Sequence, residues 1–313
     1  MAGVITISLI VICTAVAGAL AWLAWRGHRR GTISTRGLIV TGGFAVVLVA
    51  MGVGFIGHAH YLHFGFLHIT STLFFLGLAL VLKVFIPDKD TYARRHKIAV
   101  GVLTGIVAFF TLFKFTYIYH YGMSVYEVAP LNACNLVAVL IILRPWWRNT
   151  LFDNYIICFG LLGGVMNLLI GTRYGWDQDF YTDIVYESNI THNIFLTYCL
   201  YMLLSRAIVP NVKRSLQNLW WLVPLFFVYV FTNQIYRYNY FFTGVYDNPI
   251  LGIYQLFPTF DIRLGGTPFE LNPLYYLIVL SLTALVLWGL AKGLEKASRA
   301  RPPNPASEVA STT

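Results

Sequence analysis

Cys134 is the residue of this sequence with the clearest capacity for chemistry, and it lies between Asn132 and Asn135 in the stretch PLNACNL. A cysteine becomes a nucleophile when an imidazole or a helix N-terminus lowers the pKa of its thiol. His192 is a candidate for that imidazole, and the amide of either asparagine could donate to an oxyanion during acyl transfer. The residues alone also permit a packed cysteine and a helix-capping histidine that never meet.

The composition indicates which kind of protein must position these side chains. Hydrophobic residues make up 58% of the 313 residues and charged residues only 11%, whereas a soluble domain has about 25% charged residues. The chain is therefore predicted to be an integral membrane protein. Its net charge of +9 comes from basic residues in short loops between apolar runs, a topogenic pattern that argues against nucleic acid as a partner.

The apolar runs predict an all-α fold, a polytopic transmembrane bundle of about nine helices. The expected helices cover residues 4–25, 38–56, 64–85, 98–118, 131–143, 155–170, 192–204, 219–232 and 274–291. With nine spans, all but four of the 22 Lys and Arg residues fall on one side of the membrane. The exceptions are Lys114, Arg173, Arg237 and Arg263. The positive-inside rule makes the basic side cytoplasmic, so we expect the N-terminus outside and the C-terminus in the cytoplasm.

Polar residues collect near the outer ends of seven of these helices. This layer contains His68, Lys114, His120, Asn132, Cys134, Asn135, Asn167, His192, Asn193, Asn233 and Asn272. Polar groups are costly at membrane depth and often mark functional sites there, although helix ends are polar in any membrane protein. We expect a common pocket at the boundary of the outer leaflet. Lys114 and His120 would meet a lipid headgroup, with extension of Lys114 to the aqueous surface as the alternative.

Histidine and cysteine spacings bear on metal and cofactor binding. Four histidines precede or open the third helix: His58, His60, His63 and His68. Histidine is a common metal and haem ligand, so metal or haem binding is an alternative function. These spacings match no established site, however, and we predict no metal and no cofactor. The four cysteines form no CxxC pair, which argues against a zinc site or a disulfide framework.

The sequence Asn189-Ile190-Thr191 is a glycosylation sequon. It abuts the seventh predicted helix, where the membrane would block the modifying enzyme. We therefore expect no glycan there.

Six segments of the chain together resemble a known family. GFLHITSTLFFLGLAL contains His68, PLNACNL contains Cys134, NYIICFGLLGGVMNLL contains Asn167, and NITHNIFL contains His192. NQIYRYNYFF contains Asn233, Asn239 and Tyr240, and NPLYYL contains Pro273 and Tyr275. In order and spacing these segments resemble the YwaF-type bacterial proteins, which are related to the integral membrane acyltransferases called transmembrane protein 164.

The resemblance divides the chain into three parts. Residues 64–292 would form a family-like membrane core of seven helices, preceded by two additional N-terminal helices in residues 1–63. Residues 293–313 would form a disordered cytoplasmic tail, because their end is polar and rich in proline. The resemblance also implies a bacterial plasma membrane as the location.

The resemblance implies transfer of a fatty acyl group to or between membrane lipids, with Cys134 as the nucleophile and His192 as its partner. The oxyanion hole or pocket would comprise Asn132, Asn135, His68, Asn167, Asn233, Asn239, Tyr240 and Tyr275. The family motif has a histidine where this chain has Asn132, and an asparagine is no general base near neutral pH. Activity would then depend on His192. Acyl hydrolysis and non-catalytic binding of a lipid or solute, in a transporter or scaffold, are the remaining alternatives.

Overall fold

The computed structural model describes residues 2–57, 60–61, 66–123, 125, 133–170, 178–179, 183–236, 254–264 and 266–299. The first helices in chain order are α1 (Ala2–Arg29), α2 (Thr35–Gly57), α3 (Phe66–Phe85), α4 (Ala93–Phe113) and the short α5 (Thr116–Tyr121). They are followed by α6 (Ala133–Leu143), α7 (Thr150–Ile170), α8 (Asp183–Leu204), the short α9 (Val212–Gln217), α10 (Leu219–Tyr236) and α11 (Pro273–Arg299). Helix therefore dominates the described residues, which confirms the all-α prediction.

Five helical segments among the described residues are long and apolar enough to cross a membrane. They are Thr35–Gly52, His68–Phe85, Ala93–His120, Val212–Tyr236 and Pro273–Arg299. Lipid offers no hydrogen bonds to a backbone, so apolar segments of this length satisfy their polar groups as helices. The segments support a membrane protein, while nine spans and the expected orientation stay predictions.

Most of the predicted helices have different bounds in the structure, and α11 continues to Arg299, beyond its expected end at residue 291. Two of the differences concern helices that carry predicted site residues. The helix expected at 98–118 is interrupted at Lys114 and Phe115, and α5 then ends at Gly122, whose φ of 62° suits a glycine C-cap. The helix expected at 192–204 begins at Asp183 instead. Its extra turns contain Asn189, a polar residue that is nevertheless buried. Hydropathy assigned these turns to a loop, because a hydropathy scale counts an asparagine as polar and takes no account of the hydrogen-bond partners that allow it to be buried.

Two small antiparallel sheets accompany the helices, and the sequence analysis predicted neither. β1 (His60–Tyr61) pairs with β2 (Gln178–Asp179), and β3 (Phe260–Leu264) pairs with β4 (Thr267–Leu271). Gly266 turns the second hairpin with a φ of +87°, a conformation that favours glycine. The Gln234 amide of α10 holds this hairpin, since it donates to the Glu270 carbonyl (2.6 Å) and accepts from the Glu270 N–H (2.7 Å).

The main hydrophobic core lies among α3, α4, α6, α7 and α8. Representative buried residues are Phe75, Leu103, Val137, Tyr155 and Phe195, one from each of these helices. The α1–α2 pair packs against α3 through α2. The core thus joins the helices that carry most of the predicted site residues.

Contacts between helix ends show that one end of the bundle gathers basic residues. The Arg144 guanidinium binds Asp153 (Nε–Oδ1 2.5 Å) and donates to the Ala207 carbonyl (3.3 Å), which joins the ends of α6, α7 and α8. His96 at the start of α4 lies 2.8 Å from the Tyr201 hydroxyl near the end of α8. We call this the basic end. The opposite end, where α3, α6 and α8 begin and α7 ends, is called the amide end.

Candidate functional site

Cys134 is the second residue of α6, which begins at Ala133 at the amide end. The Cys134 side chain and the whole of Asn132 fall outside the described residues. The backbone position nevertheless has chemical consequences. The first N–H groups of a helix have no partner inside the helix, and the positive end of the helix dipole favours a negative charge such as a thiolate or an oxyanion.

Three helices meet closely one turn away from Cys134. A Cβ atom on Gly160 of α7 would lie 2.5 Å from the Cys199 Sγ of α8 and 3.4 Å from the Val137 Cγ1 of α6. Only glycine permits this approach. The contact fixes how far α6 and α8 are shifted along α7.

The same position on α7 sets the level of His192. A Cβ on Gly160 would also lie 3.9 Å from the Phe195 Cβ of α8. His192 lies three residues before Phe195, and Cys134 lies three residues before Val137, so each backbone is about 4.5 Å from that level towards the amide end. The His192 carbonyl would be 3.2 Å from a Cβ on Gly164, and its half-buried ring lies 5.9 Å from that of Phe195. The distance between the Cys134 thiol and the His192 ring stays outside the described contacts.

Lys114 reaches the neighbour of Cys134. Its ammonium donates to the Asn135 Oδ1 at 3.2 Å, across the gap between the α4–α5 junction and α6. This contact joins a predicted headgroup residue to a predicted pocket residue and brings a positive charge to the first turn of α6. His120 lies on α5 and is exposed.

A buried group of amides joins α3, α7 and α8 at the amide end. The Asn189 Oδ1 accepts from the side-chain amides of Asn193 (3.0 Å) and Asn167 (3.4 Å), and its own amide donates to the Ser71 hydroxyl (3.4 Å). All four residues are buried. We call them the amide cluster.

His68 lies in the first turn of α3, at the amide end of the bundle. It is fully buried, and its carbonyl accepts hydrogen bonds from the Ser71 and Thr72 hydroxyls, both at 3.0 Å. Of the predicted pocket residues, His68 and Asn167 are thus connected through Ser71 and Asn189. The connection is a hydrogen-bonded chain inside the bundle.

Asn233 and Tyr275 lie in a different part of the described structure. Tyr275 is buried on α11, its ring centroid is 4.9 Å from that of Tyr254, and its N–H donates to the Asn272 Oδ1 at 3.1 Å. Asn233 is fully buried on α10. Burial, together with Tyr276 and Glu270, raises the pKa of the Tyr254 hydroxyl, which stays protonated at neutral pH. Of the remaining predicted pocket residues, Asn239 and Tyr240 fall outside the described residues.

Asn189 and Ser71 are site residues that the sequence analysis missed. Asn189 was assigned to a glycosylation sequon, yet its side chain is 2% exposed and hydrogen-bonded to two other helices. The spacing of Asn189 and Asn193 was an available signal, because residues four apart lie on one face of a helix. A serine in an apolar helix carries no comparable signal.

Metal ions in proteins are held by clusters of His, Cys, Asp or Glu side chains. Within the described residues, no three His, Cys, Asp or Glu side chains come close enough together to hold a metal ion. His58 and His63 lie outside those residues. Metal or haem binding through the histidines therefore stays an untested alternative.

Comparison with known proteins gives one positive finding. The model of the TMEM164 family matches residues 55–292, which include Cys134, His192 and every helix from α3 to α10. No curated protein and no solved structure matches the chain. Because the match covers more than half of the chain, this protein belongs to the TMEM164 family.

Proposed function

We propose that this protein is a membrane-embedded lipid acyltransferase in which Cys134 is the nucleophile. The observation that carries the proposal is the family match across residues 55–292, joined to the place of Cys134 in the first turn of α6. Membrane lipids would be both acyl donor and acceptor. The apolar helices keep acyl chains in hydrocarbon, while the amide end offers polar groups to the ester.

In the first half of the proposed reaction, the Cys134 sulfur attacks the carbonyl carbon of an acyl ester. His192 takes the thiol proton and returns it to the leaving alcohol oxygen, so a C–S bond forms as the ester C–O bond breaks. The helix N-terminus and the amides of Asn132 and Asn135 would stabilise the oxyanion of the tetrahedral intermediate.

In the second half, a hydroxyl of the acceptor lipid attacks the thioester carbonyl. His192 removes the hydroxyl proton and gives it to the departing Cys134 sulfur, which regenerates the thiol as the new C–O bond forms. Water in place of the acceptor hydroxyl would make the reaction an acyl hydrolysis.

Three local features support this assignment. The positive end of the α6 dipole and the Lys114 ammonium near Asn135 both favour the thiolate over the thiol. The Gly160 contact supports a similar depth for the backbones of Cys134 and His192. His192 can serve as the proton carrier, which makes Asn132 tolerable where the family motif has a histidine.

We further propose that the basic end faces the cytoplasm of a bacterial plasma membrane. The reaction would then occur near the outer leaflet. Lys114 and His120 would contact the headgroup of the lipid, because a cation near the membrane boundary attracts a phosphate.

The test is trapping of the acyl-enzyme on the full-length protein. Purified protein is incubated with a phospholipid carrying a labelled acyl chain, and the protein-bound label that neutral hydroxylamine releases is measured. We expect labelling of the wild type and none of Cys134→Ala. Acyl transfer should fall at least about a hundredfold in Cys134→Ala and in His192→Ala.

Cys13→Ala is the matched control, since it removes a half-buried thiol outside the family match. It should keep full labelling and transfer. Equal labelling of wild type and Cys134→Ala would contradict the covalent mechanism. Absence of label and of transfer in every variant, with a tightly bound lipid, would favour the non-catalytic lipid-binding alternative. A Soret band or bound metal in the purified protein would favour the histidine alternative instead.

A further inference from the structure

A groove at the basic end has no part in the proposed reaction. It lies between α9 and the last turns of α11, has a volume of about 600 Å³, and is lined by residues that include Lys213, Leu216, Gln217 and Trp220. A second hollow of about 310 Å³ continues it along Ser298 and Arg299. The two share Asn211 and Glu295 as lining residues. We call the combined depression the α9–α11 groove.

The floor of the groove is held by hydrogen bonds to two other helices. The Asn211 N–H donates to the Asn154 Oδ1 of α7 at 2.7 Å, and the Val212 N–H donates to the Glu295 carboxylate of α11 at 3.2 Å. The Asn211 side chain also caps α9 by accepting from the Arg214 N–H at 3.0 Å. The groove is therefore built before any ligand arrives, which lowers the entropic cost of binding.

The charges around the groove favour an anion. Its lining carries two basic side chains, Lys213 and Arg299, against one carboxylate, Glu295. Three more basic residues lie within three positions of a lining residue in the sequence: Arg214, Lys292 and Lys296. Glu295 already accepts from the Val212 N–H and from Arg299. Among the described residues Lys213 and Lys296 form no ion pair, so their charges remain to attract a phosphate.

The groove also has an apolar side, where the basic end meets the apolar helix α10. The Trp220 side chain is 83% exposed at the second residue of that helix, and Leu216 lies beside it in the groove lining. Tryptophan is enriched at the level of the lipid headgroups. This combination fits an anion that carries an acyl chain better than a free ion.

We propose that the α9–α11 groove binds the phosphate group of an anionic phospholipid, with Lys213 and Lys296 on the phosphate and the acyl chains along Trp220 and Leu216. Because the groove lies at the basic end and α6 begins at the amide end, this site is separate from the proposed catalytic site. It does not depend on the proposed function.

Native mass spectrometry of the full-length protein in neutral detergent tests the proposal. Phosphatidylglycerol and phosphatidylcholine with the same chains are titrated against the wild type and against the double variant Lys213→Gln, Lys296→Gln. We expect the wild type to prefer phosphatidylglycerol and the variant to bind it roughly tenfold to thirtyfold more weakly, because each lysine near an anionic lipid contributes about a fivefold attraction or slightly less. Phosphatidylcholine should lose less affinity, because its choline cation offsets the charge of its phosphate.

The matched control, Lys89→Gln with Lys97→Gln, removes the same charge from the turn before α4 and from the beginning of α4, at the same end of the bundle, and it should bind like the wild type. Equal losses in both double variants would mean that the whole basic end attracts anions and would overturn the groove. Equal affinity of the wild type for the two lipids would overturn it as well. A third arm adds inorganic phosphate: displacement of the lipid at comparable concentration, with no effect of Trp220→Ala on lipid affinity, would show a free-phosphate site instead.

Discussion

Asn189 connects three helices through one side-chain amide. It accepts from Asn167 of α7 and Asn193 of α8 and donates to Ser71 of α3. When a buried amide loses its hydrogen-bond partner, the full desolvation penalty of that amide is no longer offset. Such a cluster is therefore stabilising only while it is complete. His192 lies between two members of the cluster in the sequence, which means that the cluster also sets the rotation of the helix that carries His192.

Replacement of Asn189 tests this role at the residue scale. We expect Asn189→Ala to lower the free energy of unfolding in detergent by about 1–3 kcal/mol, since two donors and one hydroxyl lose their partner inside the bundle. Thermal unfolding followed by circular dichroism or scanning fluorimetry measures the change.

The control for Asn189→Ala is Gln255→Ala, which removes an exposed amide from the turn before β3. A surface change of this kind should stay within about 0.5 kcal/mol of the wild type. If the two variants were equally stable, the amide cluster would contribute nothing to the packing of α8.

At the scale of elements, the glycines of α7 decide how α6 and α8 approach it. Gly160 and Gly164 are four residues apart and face α8, where a Cβ would come within 2.5 Å of Cys199 and 2.8 Å of the Leu196 Cβ. In a membrane the helices gain little from hydrophobic burial against lipid, so close van der Waals packing across small residues contributes most of the association.

We expect Gly160→Ala to destabilise the protein by about 1–3 kcal/mol, because the added methyl group overlaps the Cys199 sulfur. The double variant Gly160→Ala, Cys199→Ala should recover much of the loss, since it removes the overlapping atom. Unfolding midpoints of the four proteins in one detergent give the coupling energy.

Gly105→Ala serves as the matched control on α4. Nothing lies within 4 Å of a Cβ at that position, and alanine has a higher helix propensity than glycine. The control should therefore be as stable as the wild type or more stable. Additive losses for Gly160→Ala and Cys199→Ala would contradict a direct contact between α7 and α8 at this level.

At the scale of the whole molecule, the Arg144–Asp153 pair joins the ends of α6, α7 and α8 at the basic end. Both side chains are mostly buried, with 12% and 15% exposure, and the guanidinium also binds the Ala207 carbonyl. Removing one partner of a buried pair leaves the other charge uncompensated.

Arg144→Gln should therefore lower the free energy of unfolding by about 3–5 kcal/mol. Asp153→Asn should be comparably harmful, and the double variant should be less destabilised than the sum of the two single changes. The exposed Arg148 provides the control, because Arg148→Gln removes a similar charge from the same loop without breaking an observed contact. If the losses of stability in the two single variants, measured by thermal unfolding, added up to the loss in the double variant, the ion pair would not couple the helix ends.

The expected orientation is a second prediction at this scale. With nine spans and a cytoplasmic basic end, a green fluorescent protein fused after residue 299 should lie in the cytoplasm and fluoresce. An alkaline phosphatase fused after residue 57 reports the other side, since it is active only outside the cytoplasm. Because two spans precede that point and the N-terminus is expected outside, the phosphatase should be active. The opposite activity in either fusion would require a different number of spans or an inverted orientation.

The sequence by itself determined that this is a helical membrane protein, and it identified the family. Apolar runs long enough to cross a membrane, with few charges, permit little other than helices, since lipid cannot satisfy an open backbone. The motifs around His68, Cys134, Asn167 and His192 were sufficient to identify the family, which the match over residues 55–292 confirms. These features are local in the chain, so a linear pattern can carry them.

The partners of the polar residues were decided only by the tertiary structure. In the sequence, Asn189 was recognised only as part of a sequon that was expected to stay unmodified, whereas in the structure it bonds to Ser71 and Asn167. Of the expected layer, Asn167 and Asn193 both donate to Asn189, whereas Asn272 donates to the Tyr254 carbonyl and accepts from the Tyr275 N–H. Which helix faces meet depends on small residues such as Gly160 and on side chains far apart in the chain. Hydropathy measures the cost of burying an amide, but it carries no information on which other helix supplies its hydrogen bond.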